Sequence, residues 1–383
     1  MADNKDKIKE LEAEVSKTKY NKRTQHSIGL LKAKIAQLKE KEIARSSKKS
    51  VHTGYSVRRT GDATIIMIGF PSSGKSTLLN AITNADSPVG AYEFTTLDVI
   101  PGLMEYKGAK IQVLDVPGIV MGAASGRGRG REVLSVMQSA DMVMVLIDVL
   151  RPNTLKVIEK EIYDSHLRLN QKRPDVKIRK TARGGIRIGR TVPTPDLNNE
   201  TIIGILKEFR ISNADVLIRT RIDADQLIDV VEGNKVYVPG MTILNKIDIE
   251  DSTIISSDEC KGDDKIEENN KKIKALEKRY DVDVAISGDK KINLEKLKDL
   301  IFDRMEFIRV YCKEVGKKAD MDEPLILRKG DTLKRMCEKL HKDFVQKFKF
   351  ARILGDSVKY DGQKVMKLHH KLKDKDVVEL HIG

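Results

Sequence analysis

The sequence predicts an α/β protein built around a doubly wound, mostly parallel sheet. Four short apolar segments, TIIMIGF, KIQVLDV, MVMVLIDV and GMTILNKID, have the β-branched composition of strands, and helical stretches separate them. The first segment is followed by a Gly/Ser turn and the apolar helix STLLNAI, which completes a βα unit. Strands that alternate with helices are typical of a parallel sheet covered by helices on its faces.

Residues 1–60, ahead of this sheet, are predicted to form a basic helical arm. Between Lys17 and Arg59 there are thirteen Lys or Arg residues and only two Glu residues. This concentration favours a surface that binds a polyanion, and a solvated charged helix is the alternative. Apolar residues at helical spacing predict two helices in this region: Ile8, Leu11 and Val15, then Ile28, Leu31, Ile35 and Leu38.

The chain between Asp115 and Asn245 is too long for the sheet alone. Two βα steps of about 30 residues each would suffice, yet Asn245 comes 130 positions after Asp115. We therefore expect an inserted α+β module at 169–240, which divides the sheet domain into a first part, 61–168, and a second part, 241–306. Nine Lys or Arg residues and one Asp lie between Arg168 and Arg190. The topology of the insertion is not predictable from this pattern.

Residues 307–383 are predicted to form a compact α+β tail. Short strand-like segments, IRVY, LILR, ARILG and VVELHI, surround one helix that begins at Asp331 and Thr332. The tail is therefore a separate small domain.

Composition limits the partners and the compartment. The formal net charge is +14 and the isoelectric point is near 9.4, which favours RNA, DNA or an anionic membrane as a partner. No run of 18 apolar residues exists and the first residues lack the apolar core of a signal peptide, so we expect a cytoplasmic protein. The three cysteines lie far apart, which argues against a disulfide framework and a zinc site.

The turn after the first strand matches G-x-x-x-x-G-K-[ST], the phosphate-binding loop, in its required strand–loop–helix context. Glycines let backbone N–H groups surround phosphates, Lys75 brings a positive charge to the β and γ oxygens, and the Ser76 hydroxyl can bind Mg²⁺. The predicted nucleotide-binding residues of this loop are Gly69, Phe70, Pro71, Ser72, Ser73, Gly74, Lys75, Ser76 and Thr77.

A D-x-x-G motif, Asp115 to Gly118, ends the next apolar strand. The Asp115 carboxylate is therefore expected at the carboxyl edge of the sheet, where ligands bind, and predicted to hold Mg²⁺. The Gly118 N–H can approach the γ-phosphate because glycine has no side chain.

A third motif, N-K-x-D, supplies base specificity. Asp248 offers two acceptors to the N1–H and exocyclic amine of guanine, a pair of donors that adenine lacks. Asn245 and Lys246 complete the motif, and Ser287 with Gly288 after the strand-like VDVAI is predicted to form the last loop near the base. The order of the three motifs favours a GTPase over a P-loop ATPase.

Paired threonines lie between the first two motifs, in YEFTTL. Such a residue can supply a hydroxyl to Mg²⁺ only when γ-phosphate holds the loop closed. Thr96 is the predicted ligand, with Thr95 as second choice, and two threonines of an edge strand are the structural alternative. The predicted metal ligands are thus Ser76, Thr96 and Asp115, and the predicted catalytic residues are Lys75, Thr96 and Gly118.

The segment 122–132, GAASGRGRGRE, is rich in glycine and arginine. We expect it to reorganise around γ-phosphate. Arg127, Arg129 or Arg131 is a candidate to stabilise transition-state charge, and solvated or RNA-facing arginines are the favoured alternative.

The segments GFPSSGKSTLLNAIT, YEFTTL, DVPGIVMGAASGRGRGREVL and NKID, in this order, resemble the Obg-type GTPases, and within them the developmentally regulated GTP-binding protein (DRG) family. The resemblance covers nearly the whole chain. It implies a P-loop GTPase domain with an insertion similar to a domain of a small-subunit ribosomal protein, and a C-terminal TGS domain, a ubiquitin-like β-grasp. It also implies a link to translating ribosomes and RNA.

Two positions bear on catalysis. Ile119 follows Gly118, so the glutamine that positions water in many GTPases is missing, as it is in the family that the chain resembles. Relatives with potassium-assisted hydrolysis usually carry Asn at the fourth position of the phosphate loop, where this chain has Ser72. This difference argues against K⁺ as a second cofactor without excluding it.

Together these features predict a Mg²⁺-dependent GTPase that hydrolyses GTP slowly and switches its conformation on a ribosome or RNA. The alternative is a nucleotide-gated RNA-binding module with negligible turnover. We expect a monomer that responds to a regulatory protein partner. A membrane-surface GTPase is disfavoured because lipidation motifs are lacking.

Overall fold

The structure is a computed structural model. It describes residues 3–19, 21, 24–47, 61–83, 100–116, 137, 139–248 and 262–383. These residues divide into two compact units: residues up to 47 with 161–238, and residues 61–160 with 239–383.

The described residues form ten α-helices. Their bounds are α1 (Asp3–Lys17), α2 (Gln25–Ser47), α3 (Lys75–Ile82), α4 (Leu155–Asp164), α5 (Asn199–Glu208), α6 (Ala224–Glu232), α7 (Gly262–Tyr280), α8 (Leu294–Arg304), α9 (Leu333–Leu340) and α10 (Phe344–Lys347). None of these helices has the length and apolar character needed to cross a membrane.

The strands of the described residues form four sheets. Their bounds are β1 (Ala63–Gly69), β2 (Ile100–Tyr106), β3 (Ala109–Asp115), β4 (Met142–Asp148), β5 (Leu167–Leu169), β6 (Val176–Lys180), β7 (Ile186–Arg190), β8 (Ala214–Ile218), β9 (Val236–Val238), β10 (Gly240–Asn245), β11 (Val284–Ala285), β12 (Phe307–Lys313), β13 (Leu325–Arg328), β14 (Phe348–Leu354), β15 (Gln363–Val365) and β16 (Val377–Ile382).

The six-stranded sheet has the order β11-β10-β4-β1-β3-β2. Its strands are parallel except β2, which runs antiparallel to β3. All seven residues of β1 are buried, as expected for a central strand covered on both faces. The predicted α/β class with a mostly parallel, doubly wound sheet is confirmed.

The C-terminal residues form a five-stranded mixed sheet with the order β13-β12-β16-β14-β15. Strand β12 is parallel to β16, whereas the other pairs are antiparallel. Helix α9 starts after Thr332 and buries Leu333 and Met336 against this sheet. The predicted compact α+β tail is confirmed, and its helix begins where the sequence predicts.

The other unit contains a three-stranded sheet of order β6-β8-β7. Strand β6 is antiparallel to β8 and β7 is parallel to it. Leu206 and Leu227 from α5 and α6 join the core on one face of this sheet. Strands β5 and β9, at the two ends of the segment 167–238, pair in parallel.

Helix α2 packs against α5 through small residues. A Cβ added at Gly29 would lie 2.8 Å from Thr201 Cγ2, and one added at Gly204 would lie 2.8 Å from Leu30 Cδ2. Ala33 is fully buried in the same core. The second N-terminal helix is therefore part of the unit that contains the three-stranded sheet.

Candidate functional site

The parallel strands of the six-stranded sheet bring their carboxyl ends to one edge. The predicted site residues and Asp148 follow β1, β3, β4 and β10 at this edge. Ligands of open α/β sheets bind outside the carboxyl ends of the strands, so this edge is the candidate site. The loop after β1 leads directly into α3.

The loop after β1 has the backbone geometry that its glycines permit. Gly74 caps α3 with φ 89° and ψ 22°, a left-handed conformation that glycine adopts without a steric penalty. A Cβ there would lie 2.3 Å from Asn245 Nδ2, and a Cβ at Gly69 would lie 2.7 Å from the Leu146 carbonyl oxygen. Ser72 also has a positive φ, 64°. The loop thus depends on glycine for both its turn and its close contacts.

Lys75 lies at the start of α3 with its ammonium folded back over the loop. Its Nζ donates to the carbonyl oxygens of Gly69 and Phe70, each at 3.0 Å. Burial lowers the pKa of this ammonium, while the nearby Asp115 carboxylate acts in the opposite direction. The positive charge is therefore held within the loop that the sequence assigns to phosphate.

Ser76 and Asp115 form a hydrogen-bonded pair. The Ser76 hydroxyl donates to Asp115 Oδ2 at 2.9 Å. Asp115 is 4% exposed, and its other oxygen, Oδ1, is buried without a hydrogen-bond partner. A buried carboxylate oxygen without a donor is costly, and hard oxygen donors are the ligands that Mg²⁺ prefers. The pair fits a magnesium site that the bound nucleotide would complete.

Asn245 connects the loop after β1 to the loop after β11. Its Nδ2 donates to the Ser73 carbonyl oxygen at 2.9 Å, and its Oδ1 accepts from the Gly288 N–H at 3.1 Å. Asn245 is 2% exposed. This side chain brings three predicted elements of the site together, the phosphate loop, the N-K-x-D motif and the Ser287–Gly288 loop.

Lys246 forms an ion pair that the sequence motifs do not predict. Its Nζ is 2.7 Å from Asp148 Oδ2, and Asp148 Oδ1 accepts from the Leu150 N–H at 2.9 Å. Lys246 has a positive φ, 68°, and its Cε would lie 3.9 Å from a Cβ at Gly74. Asp148 ends β4 and so belongs to the same edge, but a lone Asp after a strand carries little sequence signal.

Asp248 and Ser287 follow neighbouring strands. The Ile247 N–H donates to the Ile286 carbonyl oxygen at 3.3 Å, which holds the two segments side by side. Asp248 is half-buried and Ser287 is fully buried. The Ser287 Oγ accepts from the Lys290 N–H at 2.9 Å, so this hydroxyl shapes the last loop.

The remaining predicted residues are placed as follows. Phe70 is half-buried, and Pro71 and Thr77 are exposed at the phosphate loop. Several predicted residues lie outside the described ranges: Thr95, Thr96, Gly118, Ile119, Arg127, Arg129 and Arg131.

A phosphate loop between β1 and α3, an Asp at the end of β3 and an Asn-Lys-x-Asp motif after β10 define the P-loop GTPase class. Comparison with known families agrees. Residues 64–180 match the family described as 50S ribosome-binding GTPase, and residues 183–307 match its C-terminal region. Residues 308–382 match the TGS domain.

Full-length relatives narrow the class. An uncharacterised GTP-binding protein of Methanocaldococcus jannaschii is 49% identical over 98% of this chain and 92% of its own. Developmentally-regulated GTP-binding protein 1 of Xenopus laevis is 40% identical over 98% of each chain. Developmentally-regulated G-protein 3 of Arabidopsis thaliana is 40% identical over 98% of this chain and 97% of its own. The chain belongs to the developmentally regulated GTP-binding protein family, with a C-terminal TGS domain.

Proposed function

We propose that this protein binds GTP with Mg²⁺, hydrolyses it slowly to GDP and phosphate, and acts as a nucleotide-dependent switch on ribosomes or RNA in translation. One observation carries the proposal. Lys75, the Ser76–Asp115 pair and Asn245 converge on one edge of the sheet, where their groups complement a nucleoside triphosphate with its cation.

The phosphates would bind at the N-terminus of α3. The first backbone N–H groups of a helix have no partner within the helix and attract anions. Lys75 Nζ would exchange the carbonyl oxygens of Gly69 and Phe70 for phosphate oxygens. Charged acceptors make stronger hydrogen bonds than neutral carbonyls, so this exchange favours the bound state.

Magnesium would be held by the Ser76 hydroxyl and by Asp115, with Thr96 as the third proposed protein ligand. When bound, the ion neutralises charge on the β- and γ-phosphates. The buried Asp115 Oδ1, which has no donor, supports this assignment because a cation or its water would satisfy it. Mg²⁺ is the proposed cofactor, and no feature of the described site calls for K⁺.

Base selection is proposed for Asp248, with Lys246 and the Ser287–Gly288 loop beside it. The hydrogen bond from Gly288 to Asn245 fixes that loop relative to the phosphate loop. A carboxylate two residues after Lys246 offers two acceptors to the two guanine donors. An adenine base lacks that pair, so GTP is the proposed substrate.

Turnover is proposed to be slow and to depend on a partner. Ile119 cannot orient water as a glutamine does, so positioning and electrostatics are left to Lys75, Thr96 and Gly118. One arginine of segment 122–132 or an external group would then stabilise the transition-state charge. A ribosome or a regulatory protein partner is the proposed source of acceleration.

The proposed setting is the ribosome, in the cytoplasm, with the protein as an Obg-type monomer. Its support is the net charge of +14, the 50S ribosome-binding description of the matched family and the TGS domain. We further propose the division of the chain into the segments 1–60, 61–168, 169–240, 241–306 and 307–383, with helix α2 of the first segment packed on the core of the inserted segment 169–240.

Single-turnover hydrolysis of γ-labelled GTP, with protein in excess, tests the activity. We expect complete conversion at a rate near the ~10⁻³ s⁻¹ of unassisted small GTPases, and faster conversion with ribosomes. GTP that stays intact while bound would instead support a nucleotide-gated RNA-binding module without turnover.

Asp115→Asn tests the metal assignment separately from activity. The variant should lose most of the Mg²⁺ dependence of GTP affinity, measured by titration of a fluorescent GTP analogue with and without Mg²⁺. Asp303→Asn is the matched control, because Asp303 is exposed on α8. Equal Mg²⁺ dependence in all three proteins would remove Asp115 from the metal site.

A further inference from the structure

Among the residues that the structure describes, the three-stranded sheet has one face that packs against helices and one open face whose side chains are exposed. Ile178 and Ile188 are opposite buried Val216 and contribute to the core with α5 and α6. The alternate positions point the other way, because successive side chains of a strand lie on opposite faces. Lys177, Arg179 and Arg187 occupy those positions and are exposed.

The open face is strongly cationic. Arg179 and Arg187 lie on either side of Asp215 in one row across the sheet. Arg187 donates to both Asp215 oxygens, at 2.7 and 3.2 Å, and its side chain remains 72% exposed. Lys177 lies one row further along β6. Among these four positions, Asp215 is acidic and the other three are basic, so the face carries net positive charge.

The loop 181–185 between β6 and β7 adds a further arginine to this end of the sheet. Its ends are fixed to the start of β8, because Thr181 N–H donates to the Asn213 carbonyl oxygen at 3.1 Å and Gly185 N–H donates to Asn213 Oδ1 at 2.9 Å. Gly184 and Gly185 have φ values of 105° and 71°, and an added Cβ at either would have open space around it. Arg183 is exposed in this anchored loop.

Base stacking on aromatic rings is not available on this face. Residues 169–208 contain no Phe, Tyr or Trp, and neither does β8. Proteins that bind single-stranded RNA stack its bases on aromatic rings, whereas double-stranded RNA is bound through its backbone and shape. The chemistry of the face therefore fits paired RNA better than single strands.

Lysines of helix α2 are less available than their number suggests. Lys32 pairs with Asp225 at 2.5 Å, and Lys39 pairs with Glu12 at 2.9 Å and Asp164 at 3.2 Å. Both lysines are therefore paired with carboxylates of their own unit. On the open sheet face, Arg187 has Asp215 as its acidic partner and remains largely exposed.

We propose that the open face of the β6-β8-β7 sheet, with Arg179, Arg183 and Arg187 as its centre, binds the phosphate backbone of double-stranded RNA. This inference rests on the proposed function and names the surface that contacts RNA. Recognition through phosphates positions a protein on a duplex without selecting a base sequence.

The alternation of β6 provides a matched control for this surface. Arg179 and Lys180 are adjacent and both exposed, but Arg179 is opposite Asp215 on the open face and Lys180 is opposite fully buried Ala214 on the helix side. Lys207 is exposed on α5, which covers that helix side. Arg179→Gln with Arg183→Gln is the test variant, and Lys180→Gln with Lys207→Gln removes the same charge elsewhere on the unit.

The experiment measures affinity for an RNA duplex as a function of salt, with full-length protein. Removing two phosphate contacts should reduce the log–log salt slope by about 1.8, at about 0.9 per contact, and weaken binding about 60-fold at about 0.1 M salt. The lysine variant should retain the slope of the wild type. Thermal unfolding midpoints equal to that of the wild type in both variants would show that the substituted unit is folded, and unchanged GTP affinity would show that the proposed nucleotide site is intact.

Several outcomes would overturn the proposal. Equal losses in both variants would indicate general electrostatic attraction, and a wild-type slope in the arginine variant would assign duplex binding to another surface. Equal affinity for a single strand of the same length, or stronger competition by polyglutamate than by RNA, would exclude paired RNA as the occupant. If the surface proposal fails in one of these ways but the wild type still binds ribosomes, the proposed function stands. A wild type that binds neither ribosomes nor RNA would contradict both the surface proposal and the proposed function.

Discussion

Asp248 is the residue on which base selection depends. Asp248→Asn should lose affinity for GTP and gain affinity for xanthosine triphosphate, because the 2-position of xanthine is a carbonyl acceptor. Loss of a charged bidentate contact should cost about 2–4 kcal/mol of GTP binding. Competition binding with both nucleotides checks this. Unchanged GTP affinity would remove Asp248 from the site.

Asp148 is expected to position Lys246. Asp148→Asn keeps an acceptor for the Leu150 N–H and removes the charge that pairs with Lys246. Affinities for GTP and GDP should fall together by roughly fivefold, or about 1 kcal/mol, since the pair is partly exposed. Titration with both nucleotides measures the change.

Glu295→Gln is the control for Asp148→Asn, because it removes the acidic partner of Lys298 from a more exposed lysine pair on α8. A loss confined to one of the two nucleotides, or an equal loss in the control, would argue against the positioning role of Asp148.

At the scale of residues, motif spacing was sufficient to predict that the phosphate loop, Asp115 and Asn245 lie at one edge of the sheet, because each motif follows a parallel strand. Their roles toward a nucleotide stay predictions. The structure brings these residues to one edge. Asp148 could not be predicted, because its importance comes from contact with Lys246 across two parallel strands and not from a sequence pattern.

At the scale of elements, a cluster of charged residues that includes one neutral histidine lies at the paired strands β5 and β9. Arg168 is 3% exposed, pairs with both Asp229 oxygens at 2.7 Å and lies 3.6 Å from the centre of the Tyr163 ring. His166 Nδ1 is 2.6 Å from Lys235 Nζ, and Lys235 also pairs with Glu232. Burial, Lys235 and Arg168 together lower the pKa of His166 to about 4.

This cluster predicts acid sensitivity. The pKa of His166 is 6.5 when unperturbed and about 4 in the fold, so the unfolded chain binds more protons between these values. Stability is therefore full above pH 6.5 and falls as the pH drops toward 4. Wild-type protein should lose about 1–2 kcal/mol of unfolding free energy through His166 between about pH 7.5 and pH 5.

Chemical denaturation of wild type and His166→Gln at both pH values measures this contribution as a difference. The variant should depend less on pH by that amount, because glutamine can accept from Lys235 and does not titrate. Identical pH dependence in the two proteins would mean that His166 titrates normally in the fold.

Also at this scale, most strands of the six-stranded sheet and of the tail were predictable because their apolar runs are continuous. Strands β2 and β15, which have no such run, were not predicted. The arrangement of the three-stranded sheet was not, since β7 is parallel and β6 antiparallel to β8, a choice that short alternating segments do not encode. The contact between α2 and α5 was missed for a related reason. It runs through Gly29 and Ala33, which contribute little to apolar periodicity.

The whole molecule carries the proposed nucleotide site in one compact unit and the basic sheet face in the other. A ligand can shift a conformational equilibrium only through different affinities for its two states. If the protein is a switch, its affinity for the ribosome must therefore differ between the GTP-bound and GDP-bound states. The ribosome must then change the relative affinity for the two nucleotides by the same factor.

The most direct test compares the affinity of full-length protein for ribosomes with a non-hydrolysable GTP analogue and with GDP, at fixed salt and Mg²⁺. We predict tighter ribosome binding with the GTP analogue by a factor within the roughly 5–150-fold range of typical allosteric coupling. The Asp248→Asn variant should lose that difference at concentrations of the GTP analogue that saturate only the wild type. Equal ribosome affinity with both nucleotides would contradict the proposal that this GTPase is a nucleotide-dependent switch.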